Sequence, residues 1–205
     1  MTSISYYDRN ADAFFASTVN ADMAEARGQF LTHIDTGAHV LDAGCGSGRD
    51  TKAFLEHGLL VTAFDASKEL VERATEYAGI AVRTMTFDQM EWTEEFDGIW
   101  ACASLLHVPR SDLPSIMSKL GSALRAGSVL YGSFKYGNTE TEKDGRTFTN
   151  QTEDTLNDLI EELPDLALIR TWQSLDVRQT RNDQWLNFLC KKKGSKEIFV
   201  RKHSS

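Results

Sequence analysis

Cysteine is scarce in this chain, and its three residues, Cys45, Cys102 and Cys190, never fall in a C-x-x-C spacing. That pattern excludes a disulfide framework and a thiolate zinc site, and calls for no metal. It leaves three small apolar side chains in a reducing, cytoplasmic setting. No apolar run reaches the ~18 residues that a membrane span needs. The opening stretch MTSISYYDRNADAFF has no basic segment followed by an apolar core, so no secretory signal is expected. Internal repeats and low-complexity linkers are absent. Positive charge is also in short supply: 22 Lys and Arg face 30 Asp and Glu, a net of −8. Six of those cations stand in the last fifteen residues beside a single acid, Glu197, so residues 1–190 carry −13. An acidic body repels a phosphate backbone, which argues against nucleic acid as partner. The basic end, 193–205, reads as a solvated tail. Nothing in the sequence fixes an oligomeric state.

What is present is an ordinary globular composition over 205 residues, 41% hydrophobic and 25% charged, enough for one domain over residues 1–192. Short apolar runs alternate with amphipathic stretches. Helices are expected over 5–16 and 20–34, together an N-terminal helical lid (residues 1–34). Strands are expected over 39–43, 60–65, 80–85, 96–103 and 128–136. Between them fall helices over 49–57, from Ser67 to Tyr77 with Gly79 closing it, and over 111–125 before Gly127. Residues 138–150 read as a polar loop and 153–163 as a helix. Two final strands, 166–177 and 184–192, are joined by a short turn and so run antiparallel. The pattern predicts an α/β fold: a Rossmann-like three-layer sandwich, with a seven-stranded, mostly parallel sheet and an antiparallel last strand. Ligands of such sheets sit at the carboxyl ends of the strands, near the switch in strand order.

The stretch HVLDAGCGSGRDTKAF (39–54) lies at that place. Its glycines are 44, 46 and 48. A dinucleotide fingerprint needs its third glycine where Arg49 stands, and no Gly-Lys-Ser/Thr of a P-loop occurs. Asp42, just before the loop, disfavours a pyrophosphate and favours a cation. Asp65 ends the second strand, where a carboxylate can accept hydrogen bonds from both hydroxyls of a ribose. A ribose, a positive group and no phosphate describe S-adenosylmethionine.

In order, VLDAGCGSGRD, VTAFDAS and FDGIWACASLLHV closely resemble the class I S-adenosylmethionine-dependent methyltransferases. GCGSGRD with YYDRNADAFF and WLNFL is similar to their small bacterial type-11/type-12, tellurite-resistance-like group. The resemblance implies S-adenosylmethionine as donor, with S-adenosylhomocysteine as product, and a methyl-transferring enzyme. It places Asp42, Ala43, Gly44, Cys45 and Gly46 along the methionine and ribose. Asp65 falls on the ribose, Ala66 and Ser67 beside the adenine, and Phe87, Asp88 and Gln89 at the adenine amine and N1. Ala101, Cys102 and Ser104 fall at the methionine end. Asp97 matches a structural position.

Methyl transfer from a sulfonium is an in-line displacement that proximity alone can drive far. The base-flipping [DN]-P-P-[YF] motif of amino-methylating DNA enzymes is absent after the fourth strand, where ACASLLHV stands, and Ala101 precedes Cys102 where cytosine-C5 enzymes have proline. The expected acceptor is a small molecule. His107 is the candidate general base. Tyr6, Tyr7, Tyr136, Arg146 and Arg178 are candidate acceptor contacts, with Lys135 and Trp185 near the mouth. Two other readings stay open: a tRNA methyltransferase of the wobble-uridine type, and a non-catalytic S-adenosylmethionine-binding module.

Overall fold

The computed structural model describes residues 2–178 and 181–194; most of the expected basic tail, 195–205, lies outside them. Seven strands form one sheet: β1 (His39–Ala43), β2 (Leu60–Asp65), β3 (Arg83–Thr84), β4 (Phe96–Ala101), β5 (Leu124–Lys135), β8 (Leu166–Leu175) and β9 (Gln184–Lys192). Their order is β3-β2-β1-β4-β5-β9-β8. Pairings are parallel from β3 to β5, and β9 runs antiparallel to both its neighbours. This is the expected Rossmann-like sheet. The chain moves outward from β1 to β2 and β3, then crosses back to β4. The crevice between the ends of β1 and β4 is therefore the switch point.

Both faces of the sheet are buried, which is why its central strands read as unbroken apolar runs. Leu41, Ile99 and Leu130 point into one core, packed by α6 (Leu113–Ala123) and α7 (Glu153–Glu161). Their neighbours Val40, Trp100, Val129 and Tyr131 point into the other, packed by α3 (Ala24–Leu31) and α4 (Arg49–Glu56). There Trp100 stacks on Tyr131 at 3.9 Å and meets Phe30 and Phe54 edge-on or tilted. Helix α5 (Lys68–Ala78) starts at Ser67, whose side chain accepts from Leu70 N, and ends at Gly79 in the left-handed region, as the sequence predicts.

Several boundaries differ from expectation, each for a local reason. The helix expected over 5–16 is two helices, α1 (Ser3–Arg9) and α2 (Ala11–Thr18). Asn10 divides them, its side-chain amide donating to the Tyr6 carbonyl at 2.8 Å and so competing with the backbone. The helix expected over 20–34 shortens to α3, its start fixed by the Asp22 carboxylate, which accepts from Ala24 N. The third strand is only two residues long at the sheet edge, because Thr86 and Gln89 cap a 3-10 turn directly after it. Gly127 does not close a helix: α6 stops at Ala123 because Leu124 already pairs with Phe96, and Gly127 sits in an irregular part of β5 with φ +85°. The expected polar loop over 138–150 is a hairpin, β6 (Glu140–Lys143) and β7 (Arg146–Thr149). Asp144 and Gly145 turn it with φ of +55° and +75°, the signature of a two-residue primed turn.

Trp100 tests how much the second core depends on one side chain. Trp100→Ala removes a fully buried ring, its stack on Tyr131 and its hydrogen bond to Asp50. The expected loss is about 4 kcal/mol, read as a lowered urea midpoint with unchanged slope.

Candidate active site

The glycine loop leaves β1 and is pinned to the end of β2. Gly44 N and Cys45 N both donate to the Phe64 carbonyl at 2.9 Å, and Gly46 N donates to Asp65 Oδ2 at 2.9 Å. Two of the loop glycines are required by contact as well as by positive φ. A Cβ on Gly44 would lie 2.5 Å from that of Ser104, and one on Gly48 would lie 3.0 Å from that of Ala74. The close helix packing that a dinucleotide fold obtains from a glycine at position 49 is thus supplied one residue earlier, by Gly48 against α5. Position 49 is free to carry a side chain.

That side chain, Arg49, lines a cavity of about 730 Å³ that opens over the carboxyl ends of β1, β2 and β4. Asp42, Gly44, Cys45, Gly46, Asp65, Ala66, Ser67, Phe87, Asp88, Cys102 and Ser104 line it as well. On the same cavity stand Tyr6, Tyr7, His107, Lys135, Arg146, Arg178 and Trp185. Four expected positions are not on its wall. Ala43 and Ala101 point into the core. Gln89 turns back to accept from Thr86 N at 2.9 Å. Tyr136 follows Lys135 on an alternating strand; it is exposed and faces Glu153.

At the floor, Asp65 is fully engaged by backbone: Oδ2 accepts from Gly46 N and Oδ1 from Ser67 N, both at 2.9 Å. Burial still holds its pKa above the usual carboxylate range. Each oxygen keeps a lone pair for a further donor. Asp42 is 2% exposed and accepts from the Thr51 hydroxyl at 2.6 Å. Burial, and after it the charge of Asp50, push its pKa up to about 7. Asp50, invisible to sequence reasoning, is the counter-ion of this floor. It accepts from Arg49 Nη2 at 2.5 Å, Arg27 Nη1 at 2.7 Å and Trp100 Nε1 at 3.0 Å. Burial opposes its charge, but Arg49 and Arg27 outweigh this and hold it ionised. Two guanidinium groups on one carboxylate leave a positive excess at Arg49, beside Asp42 with its raised pKa. A zwitterionic amino acid, ammonium to Asp42 and carboxylate to Arg49, matches that pair. Burial pushes the Cys102 thiol up to about 12, so it is no nucleophile near neutral pH.

Over the cavity lies α1. Asp8 accepts from the Ser67 hydroxyl at 2.6 Å, and the Asp12 carboxylate of α2 accepts from Arg73 at 2.7 Å. On the other side Ser3 Oγ accepts from Thr147 N of the hairpin. Of the expected lid, α1 and α2 cover the cavity, whereas α3 is part of the core, with Phe30 fully buried. Beneath α1, the Tyr7 hydroxyl and His107 Nε2 are 2.7 Å apart, and His107 Nδ1 is 2.7 Å from the Thr147 carbonyl. A carbonyl only accepts, so Nδ1 carries the hydrogen and Nε2 presents its lone pair to Tyr7. Burial lowers the pKa of His107 to about 4, so the ring is neutral. Arg178 is already held by Asp176 through two bonds of 2.8 and 2.5 Å.

A profile described as "Methyltransferase domain" matches residues 40–127. Residues 40–127 are thus similar to a methyltransferase domain. Among curated proteins, a ubiquinone biosynthesis O-methyltransferase of Coxiella burnetii is 29% identical over 103 residues, 47% of this chain and 43% of that protein. The chain thus spans under half the length of such relatives. Among solved structures, the 1,6-didemethyltoxoflavin-N1-methyltransferase of Burkholderia thailandensis, with 1,6-didemethyltoxoflavin and S-adenosylhomocysteine bound, superposes with TM-score 0.76 at 23% identity, over 93% of this chain and 85% of that one. The N-methyltransferase NodS of Bradyrhizobium japonicum, in complex with S-adenosylhomocysteine, gives 0.69 at 16%, over 90% and 97%. Within the matched residues, the glycine loop and Asp65 line the cavity. No helix among the described residues is long and apolar enough to cross a membrane, and no cluster among them has the makings of a metal site.

The two shifted groups bias stability in opposite directions. His107 takes a proton near 6.5 when unfolded and near 4 when folded. Its contribution is full above 6.5 and is lost as pH falls through 4, about 3 kcal/mol. Asp42 titrates near 3.8 unfolded and about 7 folded. Its contribution is full below 3.8 and is lost as pH rises through 7, about 4 kcal/mol. Relative to the native protein, His107→Gln is expected to gain stability as pH falls from 6.5 to 4, and Asp42→Asn to gain it as pH rises from 4 to 7. Urea midpoints measured across that range check both slopes.

Proposed function

We propose that the protein transfers the methyl group of S-adenosylmethionine to a small-molecule acceptor by in-line displacement. One observation carries this reading: one cavity joins the glycine loop to a neutral histidine–tyrosine pair under the same lid helix. S-adenosylmethionine, when bound, supplies an already activated methyl group on a sulfonium leaving group. The chain's own residues then have three tasks. Asp65 receives the ribose hydroxyls, its carboxylate held at a fixed angle by Gly46 N and Ser67 N. Asp42 and Arg49 orient the amino-acid end. Helices α1 and α2, with the β6–β7 hairpin, exclude water and hold the acceptor in line, which supplies much of the rate. His107, with Nε2 unprotonated at neutral pH, receives the proton that the acceptor sheds, directly or through the Tyr7 hydroxyl. The acidic body and the cavity roofed by α1 favour a small acceptor over a polyanion.

Calorimetry with S-adenosylmethionine tests the donor half. Binding at pH 7 is expected to release a measurable fraction of a proton, because an ammonium beside Asp42 displaces the proton that its raised pKa retains. Titration in two buffers of different ionisation enthalpy reads that number. Asp42→Asn is expected to abolish the release, and Asp65→Ala to weaken binding by at least about tenfold. Absence of binding in the native protein would remove the proposal. A screen of acceptors that reads S-adenosylhomocysteine formation tests the other half.

A further inference from the structure

At the acceptor end, one largely buried cation is built in with an exposed acid as its counter-charge. Arg146 opens β7, its side chain 12% exposed. Its guanidinium carbon lies 3.8 Å from the centre of the Tyr6 ring and 5.0 Å from that of Phe148. The acid facing it, Asp144, is 57% exposed and meets a single nitrogen at 3.3 Å. Its Nε is buried with no hydrogen-bond partner. Two neighbouring cations are engaged more closely: Lys135 with Asp183 at 2.9 Å and Arg178 with Asp176 at 2.5 Å. A buried, unmatched guanidinium N–H is costly, and a ligand anion would satisfy it.

Resting on the methyl-transfer reading above, we propose that the acceptor is a planar aromatic or heteroaromatic ring with an acidic, ring-conjugated O–H or N–H. Its anion is held by Arg146, and its proton goes to the Tyr7–His107 pair. The walls fit such a ring. Tyr6 meets Tyr7 edge-on, and Tyr7 and Phe148 each meet His107 edge-on, and a flat ring packs on such a wall with little ordering of flexible groups. Magnitude selects the acidity. Burial makes His107 a weak base, titrating near 4. Taking a proton from a water-like alcohol is unfavourable by about twelve orders of magnitude, and from a tyrosine-like phenol by about six. A guanidinium beside the developing anion reduces the second gap, and conjugation in a more acidic ring reduces it further. The step balances. The acceptor's O–H or N–H proton passes to His107 Nε2, through Tyr7 or directly, leaving an electron pair on the acceptor atom. That pair forms the new bond to the methyl carbon as the carbon–sulfur bond breaks, its electrons staying on the now neutral sulfur. The proton leaves His107 for water afterwards.

The test uses the full chain saturated with S-adenosylhomocysteine, with that binding first established by calorimetry. Failure at this stage strikes the methyl-transfer reading, and with it this proposal. The probe is 4-nitrophenol, whose ionised form absorbs at longer wavelength than its neutral form. The expected result is binding as the phenolate, with an apparent pKa at least about one unit below that of the free probe, a tenfold preference for the anion. Arg146→Gln is expected to abolish that shift while S-adenosylhomocysteine affinity stays within about twofold, and Arg146→Lys to keep part of it. Should the glutamine variant lose S-adenosylhomocysteine affinity, the lysine variant decides by the size of its shift. The isosteric 4-nitroaniline, which carries no acidic proton, is expected to bind at least about tenfold more weakly. The proposal is overturned if 4-nitrophenol binds in its neutral form, or binds as the anion equally well without Arg146. It is also overturned if 4-nitrobenzoate binds more tightly in an Arg146-dependent way, which makes Arg146 a carboxylate clamp. No binding up to about 5 mM in protein that holds S-adenosylhomocysteine overturns it too.

Discussion

The active-site region depends on one splice: three consecutive amides after β1 are tied to the last two residues of β2. Gly44 N and Cys45 N share the Phe64 carbonyl, and Gly46 N takes Asp65 Oδ2. These bonds bend the loop sharply, which is why positive φ recurs at 44, 46 and 48. They fix the Asp65 carboxylate in one orientation. Everything on the cavity floor is placed relative to that bend. Ser104, filling the space that a side chain on residue 44 would take, locks the exit of β4 to it through the Ala43 carbonyl at 2.7 Å.

Charge on the floor is arranged in layers. Asp50 lies beneath, ionised and surrounded by donors; Asp42 lies above it with one hydroxyl and a raised pKa. An isolated pair of buried carboxylates would both resist ionisation. Giving both arginines to the lower acid solves the problem for that acid and leaves the upper one sensitive to whatever cation arrives. The same economy of partners marks the acceptor end, where Asp176 and Asp183 take Arg178 and Lys135. Arg146 is left with an exposed acid, a pairing of the kind that contributes little.

The donor half was legible in the sequence because it is built from backbone. Glycines, an acid at a strand end and a cap residue such as Ser67 mean the same thing wherever they occur, so GCGSGRD and VTAFDAS placed the loop, Asp65 and α5 correctly within the sheet. The acceptor half is built from side chains brought together over distances of 40 to 144 residues, as His107 with Thr147 and Ser3 with Thr147 show. No local pattern announces such meetings. One signal was available and unused: Asp144-Gly145 between TETEK and RTFT is a hairpin turn by composition, and it would have converted the loop over 138–150 into the wall that carries Arg146. Register explains the smaller errors. Tyr136, Ala43 and Ala101 each stand one residue from a lining position, and one residue on a strand is the opposite face. Asp50 was missed because a carboxylate beside an arginine in a first helical turn looks like a solvated dipole partner; only its burial against Trp100 shows otherwise.

The covering helix α1 has seven residues and none of them is buried. A helix that short does not persist in water by its own hydrogen bonds. It exists because Asp8 is tied to the donor wall, and Ser3 and Tyr7 to the acceptor wall. Its folding is therefore conditional on both walls at once, and its free energy of opening belongs to the low end of the molecule's range. The site is roofed by a helix that is not self-sufficient, so access to the reaction centre is governed by a local folding equilibrium, and any ligand that strengthens either wall shifts it toward closure.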